Sequence, residues 1–245
     1  MEVLVNERLV KQRARIGRYA TFLGLAMLAG GLVASFSQKY LFLSFGGLIL
    51  GFLLSQLGNY FMMRWGRKPR ADQVLATALK GLDRRCRLYN YLLPASHVLI
   101  GPVGLYVFVV KHQAGQIRCE GRRWSRKFSI GRALLMFGEE SLGNPTDELA
   151  LETNRLTKFI RENQPDLQPS IRGAIVFANP RVQLSLTEPA VPVLQPKQLK
   201  PFMRRPAGDG GYLDGEERRA LVALFDRAAG VSTRQSETVQ PDKAS

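Results

Sequence analysis

Seven cations crowd the stretch from Lys111 to Arg132: Lys111, Arg118, Arg122, Arg123, Arg126, Lys127 and Arg132 are set against Glu120 alone. A surface of one sign concentrates its counter-ions, so such a run attracts phosphate, whether on a nucleic-acid backbone or on anionic lipid headgroups. Trp124 and Phe128 stand among the arginines as apolar anchors. The plainer account of the same residues is a solvated sheet edge, where charge blocks pairing with another chain, and Lys111 either ends a buried strand in solvent or holds an anion. Other chemistries find no support. Cys86, Cys119, His97 and His112 have no partners at ligand spacing, so no zinc site is expected, and His97 reads as a half-buried polar residue satisfied by backbone. No Ser/His/Asp set or Cys/His nucleophile pair emerges. Gly208-Asp209-Gly210-Gly211 follows Pro206 without a preceding strand and reads as linker, not as a phosphate loop.

What positions these residues begins with two long uncharged stretches, Ile16–Phe36 and Tyr40–Met63, in which Arg18 near one end is the sole exception. About 20 mostly apolar residues cross the hydrocarbon core as a helix, so the pair reads as a transmembrane hairpin. Arg8, Lys11, Arg13, Arg15 and Arg18 flank the first span, and Arg64, Arg67, Lys68 and Arg70 follow the second, whereas the connector carries Lys39 alone. Cytoplasmic flanks are rich in Lys and Arg, which places both termini and the following domain in the cytoplasm, where Cys86 and Cys119 stay reduced. A cleaved signal peptide fits poorly, because a second span follows at once. A buried core hairpin fits less well still, since helices apolar on every face would need a larger domain to surround them. Gly47 and Gly51 have the spacing that lets helix backbones approach, with Gly24, Leu28 and Gly31 as a partial counterpart. Roughly half of the net charge of +15 belongs to this topology.

The organisation is thus a basic leader over residues 1–15, spans at 16–36 and 40–63, one cytoplasmic domain at 71–203, a linker and helix at 204–230 and a disordered tail at 231–245. Within the domain, helical spacing of Val74, Leu75, Ala78, Leu79 and Leu82 predicts a helix over Ala71–Leu88. His97–Ile100 and Gly104–Val110, separated by a Gly-Pro turn, read as a β-hairpin. The second strand is apolar without alternation and should lie centrally, covered on both faces. Gly115–Glu120 and Arg122–Phe128 read as shorter strands. Asn144-Pro145-Thr146-Asp147-Glu148 opens a helix whose stripe is Leu149, Leu151, Leu156, Phe159 and Ile160. Strands at Ile171–Ala178 and Val191–Leu194 and helices at Pro196–Met203 and Glu216–Ala229 complete an α/β or α+β sandwich.

The run from Ser96 to Gly115, with Gly101-Pro102, Gly104, Lys111 and Gly115, followed by Trp124 and Asn144-Pro145, resembles the nuclease-related domain, NERD, over about residues 71–203. The resemblance implies a restriction-endonuclease-like core with a central mixed sheet flanked by helices. It also implies an Asp before the His of the first strand and a Glu two residues before the Lys of the second, together holding a divalent metal. Here Ser96 and Val109 occupy those places, and Glu148 stands where the family's Gln is expected.

Residues two apart on a strand face the same way, so a carboxylate at position 109 would meet a metal beside the Lys111 ammonium. Magnesium prefers carboxylate oxygens and water and would activate the attacking water; valine offers no ligand and serine one neutral oxygen. Asp72, Asp83 and Glu120 are the acids near enough in sequence to be imagined as substitutes, and none shares the strand spacing of Lys111. The expectation is a metal-poor, cationic cleft without an acidic pair, hence a pseudonuclease with no cofactor. It would be tethered to the bilayer and bind nucleic acid or anionic partners through Lys111, Arg118, Arg122, Arg123, Arg126 and Lys127. The alternatives are a magnesium-dependent nuclease whose carboxylates have relocated, and a lipid- or protein-binding module.

Overall fold

A computed structural model describes residues 1–66, 68–102, 104–127, 141–204 and 213–231. Arg132, Phe128, the Gly208–Gly211 segment and nearly all of the expected tail lie outside the described residues. The chain runs β1 (Glu2–Val5), α1 (Glu7–Ser35), α2 (Leu41–Phe61), a π-helical turn (Met62–Gly66), α3 (Ala71–Ala78), β2 (Arg87–Asn90), β3 (His97–Gly101), β4 (Gly104–Lys111), β5 (Gly115–Glu120) and β6 (Arg123–Arg126). There follow α4 (Pro145–Asn163), β7 (Ile171–Phe177), β8 (Val182–Thr187), β9 (Val193–Leu194), α5 (Pro196–Arg204) and α6 (Gly215–Ala229). The mixed α/β class read from the sequence is the one observed.

Six strands form the main sheet in the order β1-β2-β3-β4-β7-β9. The unbroken apolar strand β4 lies inside it, antiparallel to β3 and parallel to β7. Alternation along each strand divides the core into two layers. Val98, Ile100, Leu105, Val107 and Ile175 meet Leu149, Leu156 and Ile160 of α4 and Leu221 and Phe225 of α6. On the other face Leu99, Phe108, Ala174 and Val176 meet Leu75 and Leu79 of the α3 region and Leu199 and Met203 of α5. A separate three-stranded sheet, β6-β5-β8, carries the arginine-rich hairpin. Cys86 and Cys119 are free, buried thiols, and burial raises the pKa of both.

Three elements differ from the sequence reading. The helix expected over Ala71–Leu88 stops at Ala78; Gly81 turns the chain with φ of +86°, and Leu88 and Tyr89, both fully buried, enter opposite core layers as part of a strand. The stretch read as a leader contributes β1, paired parallel to β2 from Glu2↔Arg87 to Val5↔Asn90. Too short for pattern reading, it gains its partners from a strand over 80 residues away by register. β8 lies outside the sequence reading although Val182, Leu184 and Leu186 alternate with Gln183, Ser185 and Thr187 at strand period; it pairs in parallel with β5.

Helices α1 and α2 are each long and apolar enough to cross a membrane, and only 17% of the apolar window in each is buried. Their contact follows heptads of small residues: Gly17, Gly24 and Gly31 on α1 and Ser44, Gly51 and Gly58 on α2 are the buried positions, with Val10 beside the domain. A Cβ on Gly24 would lie 2.6 Å from the Ser55 nitrogen, and one on Gly51 2.8 Å from the Leu28 nitrogen, so the two backbones touch. Ser44 closes the seam by donating its hydroxyl to the Gly31 carbonyl at 2.7 Å. Of the Gly47–Gly51 pair, only Gly51 belongs to this seven-residue repeat. Gly47 itself makes ordinary contact, 3.4 Å from Gly31 Cα.

The hairpin and the domain share structure at both junctions. Asn6 caps α1 by accepting from the Leu9 amide at 3.0 Å, and its side-chain amide donates to the Tyr91 carbonyl at 3.2 Å. Arg70 grips Asp72 through two nitrogens, at 3.0 and 2.8 Å, and reaches Glu7 at the start of α1 at 3.2 Å. Past α2, the buried Trp65 packs on the Tyr91 ring, 4.7 Å between centroids.

Candidate functional site

Lys111 ends β4, and its side chain is only 4% exposed. The ammonium donates to the Leu142 carbonyl at 3.0 Å and to Oε1 of Glu148 at 2.6 Å. It therefore neither projects into solvent nor stands free for an anion: it is neutralised where it enters a cavity of about 190 Å³. Val109 lines the same cavity, as the two-residue strand period requires.

The opposite wall is α4, and its placement is encoded locally. Asn144 accepts from the Thr146 and Asp147 amides as the N-cap, and Pro145 starts the helix with a preset φ. Trp124 on β6 donates its indole N–H to Thr146 Oγ1 at 2.8 Å, and Arg122 pairs with Asp147 at 2.8 Å. Gly173 on β7 lets the helix settle: a Cβ there would lie 2.7 Å from Leu149 Cδ2. This seats Glu148 and Glu152, one turn apart on one helix face, along the cavity with Leu151. Leu151, expected in the core stripe, is instead half exposed at the cavity rim.

Glu152 is also engaged. Its Oε2 accepts from the Ser96 backbone N–H at 2.5 Å and its Oε1 from Arg155 at 3.2 Å. The expectation of a cleft without an acidic pair is thus corrected: two carboxylates line it. They come from α4, not from Asp72, Asp83 or Glu120, none of which lines the cavity. Asp72 is held by Arg70, and Asp83 by Arg85. The sequence signal was available in the helix start at Asn144, because a capped helix fixes which residues share the face of its first two turns.

As a seat for the divalent metal that the resemblance implies, this donor set fits poorly. Each carboxylate already answers a donor of the protein, Val109 offers no oxygen to the strand side, and Ser96 presents its amide to Glu152. Among the described residues no group of three or more His, Cys, Asp or Glu side chains is gathered as a metal site.

The third wall is the exit of the hairpin. Arg64 and Ala71 line the cavity, and the Trp65–Tyr91 contact continues to the His97 ring at 4.8 Å. His97 is 4% exposed, and its Nδ1–H donates to Asn90 Oδ1 at 2.8 Å, a side-chain partner where a backbone one was expected. Burial is the main cause that pushes its pKa from 6.5 down to about 3. A neutral ring at physiological pH cannot serve as a cationic acid. Because the folded value lies below the unfolded one, the unfolded chain takes up the proton more readily. Full stability is held above pH 6.5 and is lost as pH falls toward 3. The urea midpoint of the full chain is expected to fall across that window, and His97→Gln to flatten the profile; an unchanged profile would contradict this placement.

The remaining candidate cations do not converge on Lys111. Arg118, Arg122, Arg123, Arg126 and Lys127 belong to the small sheet or its end, and none lines the cavity. Register puts Arg118 and Arg123 on one face, opposite Ser125 and Glu120, while Arg126 opposes Ile117 on the other. Arg118 lies 3.7 Å from Glu120, both well exposed, so this pair adds little stability.

Neither the curated proteins nor the solved structures yield a match to this chain. A family model, described as nuclease-related domain, matches residues 69–178. The match takes in Lys111, Ser96, Val109 and both cavity glutamates, and it ends before β8, β9, α5 and α6. The chain therefore carries a nuclease-related domain, NERD, from residue 69 to residue 178.

Proposed function

We propose that this chain is a membrane-tethered nuclease-related domain that binds an anionic partner without cutting nucleic acid. The observation that carries the reading is Val109 on the cavity wall beside Lys111, an apolar side chain at the strand position from which a carboxylate would reach a metal. The ammonium that remains is spent on Glu148. Tethering is supported by the exposed apolar surface of the hairpin, including Phe42 at 97% exposure, and by the cations flanking both spans, which favour a cytoplasmic domain. The exposed cations of the small sheet, Arg118, Arg123 and Lys127, supply an anion-attracting surface for nucleic acid or lipid headgroups.

A second reading has one observation in its favour: Glu148 and Glu152 share the cavity, and one or two carboxylates can hold magnesium together with substrate phosphates. Incubating the full chain in lipid nanodiscs with DNA and with RNA, in Mg²⁺ or Mn²⁺, separates the two. No cleavage above that of an empty nanodisc is expected. Metal-dependent cleavage that disappears in the Glu148→Gln/Glu152→Gln variant would establish the second reading instead.

A further inference from the structure

Outside the cleft, and mostly outside the matched residues, six arginines line one pocket of about 820 Å³: Arg84, Arg85, Arg87, Arg218, Arg219 and Arg227, with Glu2 and Asp226 as the acids among its walls. Helix α6 builds half of it. Leu221, Leu224 and Phe225 bury one side of that helix, which turns Arg218, Arg219, Val222, Ala223, Asp226 and Arg227 toward the pocket.

Part of this charge is structural. Arg87 is bonded to Asp226 and, at 3.0 Å, to Glu2, and Tyr89 donates to Asp226 at 2.7 Å, which locks α6 onto the sheet. Arg85 is answered by Asp83 at 2.7 Å, and Arg219 lies 3.9 Å from Glu216. Arg84, Arg218 and Arg227 are left, and among the described residues none of their side chains has a hydrogen bond or an ion pair. The dipole of α6 accounts for Arg227 in its last turn, but it disfavours a cation at Arg218 near the N-terminal end. Arg218 is also half-buried, so its uncompensated charge costs more than a solvated one would.

We propose that this pocket is a binding site for clustered phosphates on a soluble polyanion, either a free polyphosphate or a nucleic-acid strand. Guanidinium groups match phosphate oxygens in paired hydrogen bonds, and the volume admits several phosphates side by side. Lipid headgroups are the wrong source by position: Glu2 marks the pocket end of β1, and Val5 marks the end that leads into α1. The site is independent of the reading of the Lys111 cleft.

The test uses the full chain in nanodiscs of zwitterionic lipid, titrated with inorganic tripolyphosphate and, separately, with a short single-stranded DNA. Combining Arg84→Ala, Arg218→Ala and Arg227→Ala is expected to weaken binding about tenfold or more, with a melting temperature no lower than that of the wild type, whereas Lys111→Met leaves binding intact. Loss seen with tripolyphosphate assigns a free polyphosphate, and loss seen with DNA alone assigns a strand. Wild-type protein that binds neither probe, or a triple variant that binds both as wild type does, overturns the proposal.

Discussion

Glu148→Gln is expected to destabilise the domain by about 1–3 kcal/mol, read from the urea midpoint of the full chain. The Lys111 ammonium is almost wholly buried, and Glu148 Oε1, 2.6 Å away, is its one charged partner among the described residues. Removing that charge strands a cation with the Leu142 carbonyl as its remaining acceptor. The figure sits below that for a fully buried pair because the Glu148 side chain is 45% exposed and water can answer part of the charge. Lys111→Met removes the buried charge itself, so combining it with Glu148→Gln should cost less than the two separate losses added together. Strict additivity would show that the pair is not coupled and that the cation finds its compensation elsewhere.

Gly51→Leu is expected to part the hairpin helices. Even a Cβ at residue 51 would stand 2.8 Å from the Leu28 nitrogen and 2.9 Å from the Gly24 carbonyl oxygen, both backbone atoms that cannot swing aside. Overpacking of this kind costs about 1–3 kcal/mol or more. Spin labels at Leu32 and Leu43, both exposed, should report a longer and broader distance distribution in nanodiscs. Gly46→Leu is the matched control, since nothing lies within 4 Å of a Cβ at residue 46. Equal distances in both variants would mean that the glycine seam does not hold the helices together.

Much of this architecture was legible because it is written in local pattern. The apolar run Gly104–Val110 announced a central strand, the Asn-Pro helix start announced α4, and two apolar windows announced the hairpin. What escaped depends on partners distant in sequence. β1 is four residues long and is a strand only because β2 pairs with it. Leu88 and Tyr89 fit a helical stripe as readily as a strand, and Gly81 decided the matter. The site divides in the same way. Lys111 and Val109 share a face by strand period alone, but Glu148 and Glu152 enter the cleft through the packing of α4 over β7, where Gly173 makes room. No spacing within one segment reveals that approach. The arginine pocket was hidden for the same reason: its walls come from β1, the β2 edge and α6, each unremarkable by itself.

The central claim is that the cleft holds no catalytic metal, and a manganese titration tests it most directly. The full chain in zwitterionic nanodiscs is titrated with Mn²⁺ while free Mn²⁺ is followed by electron paramagnetic resonance. No site tighter than about 1 mM is predicted, for the wild type and for Glu152→Gln alike. A micromolar site that vanishes in Glu152→Gln would contradict the account and make the two glutamates of α4 metal ligands.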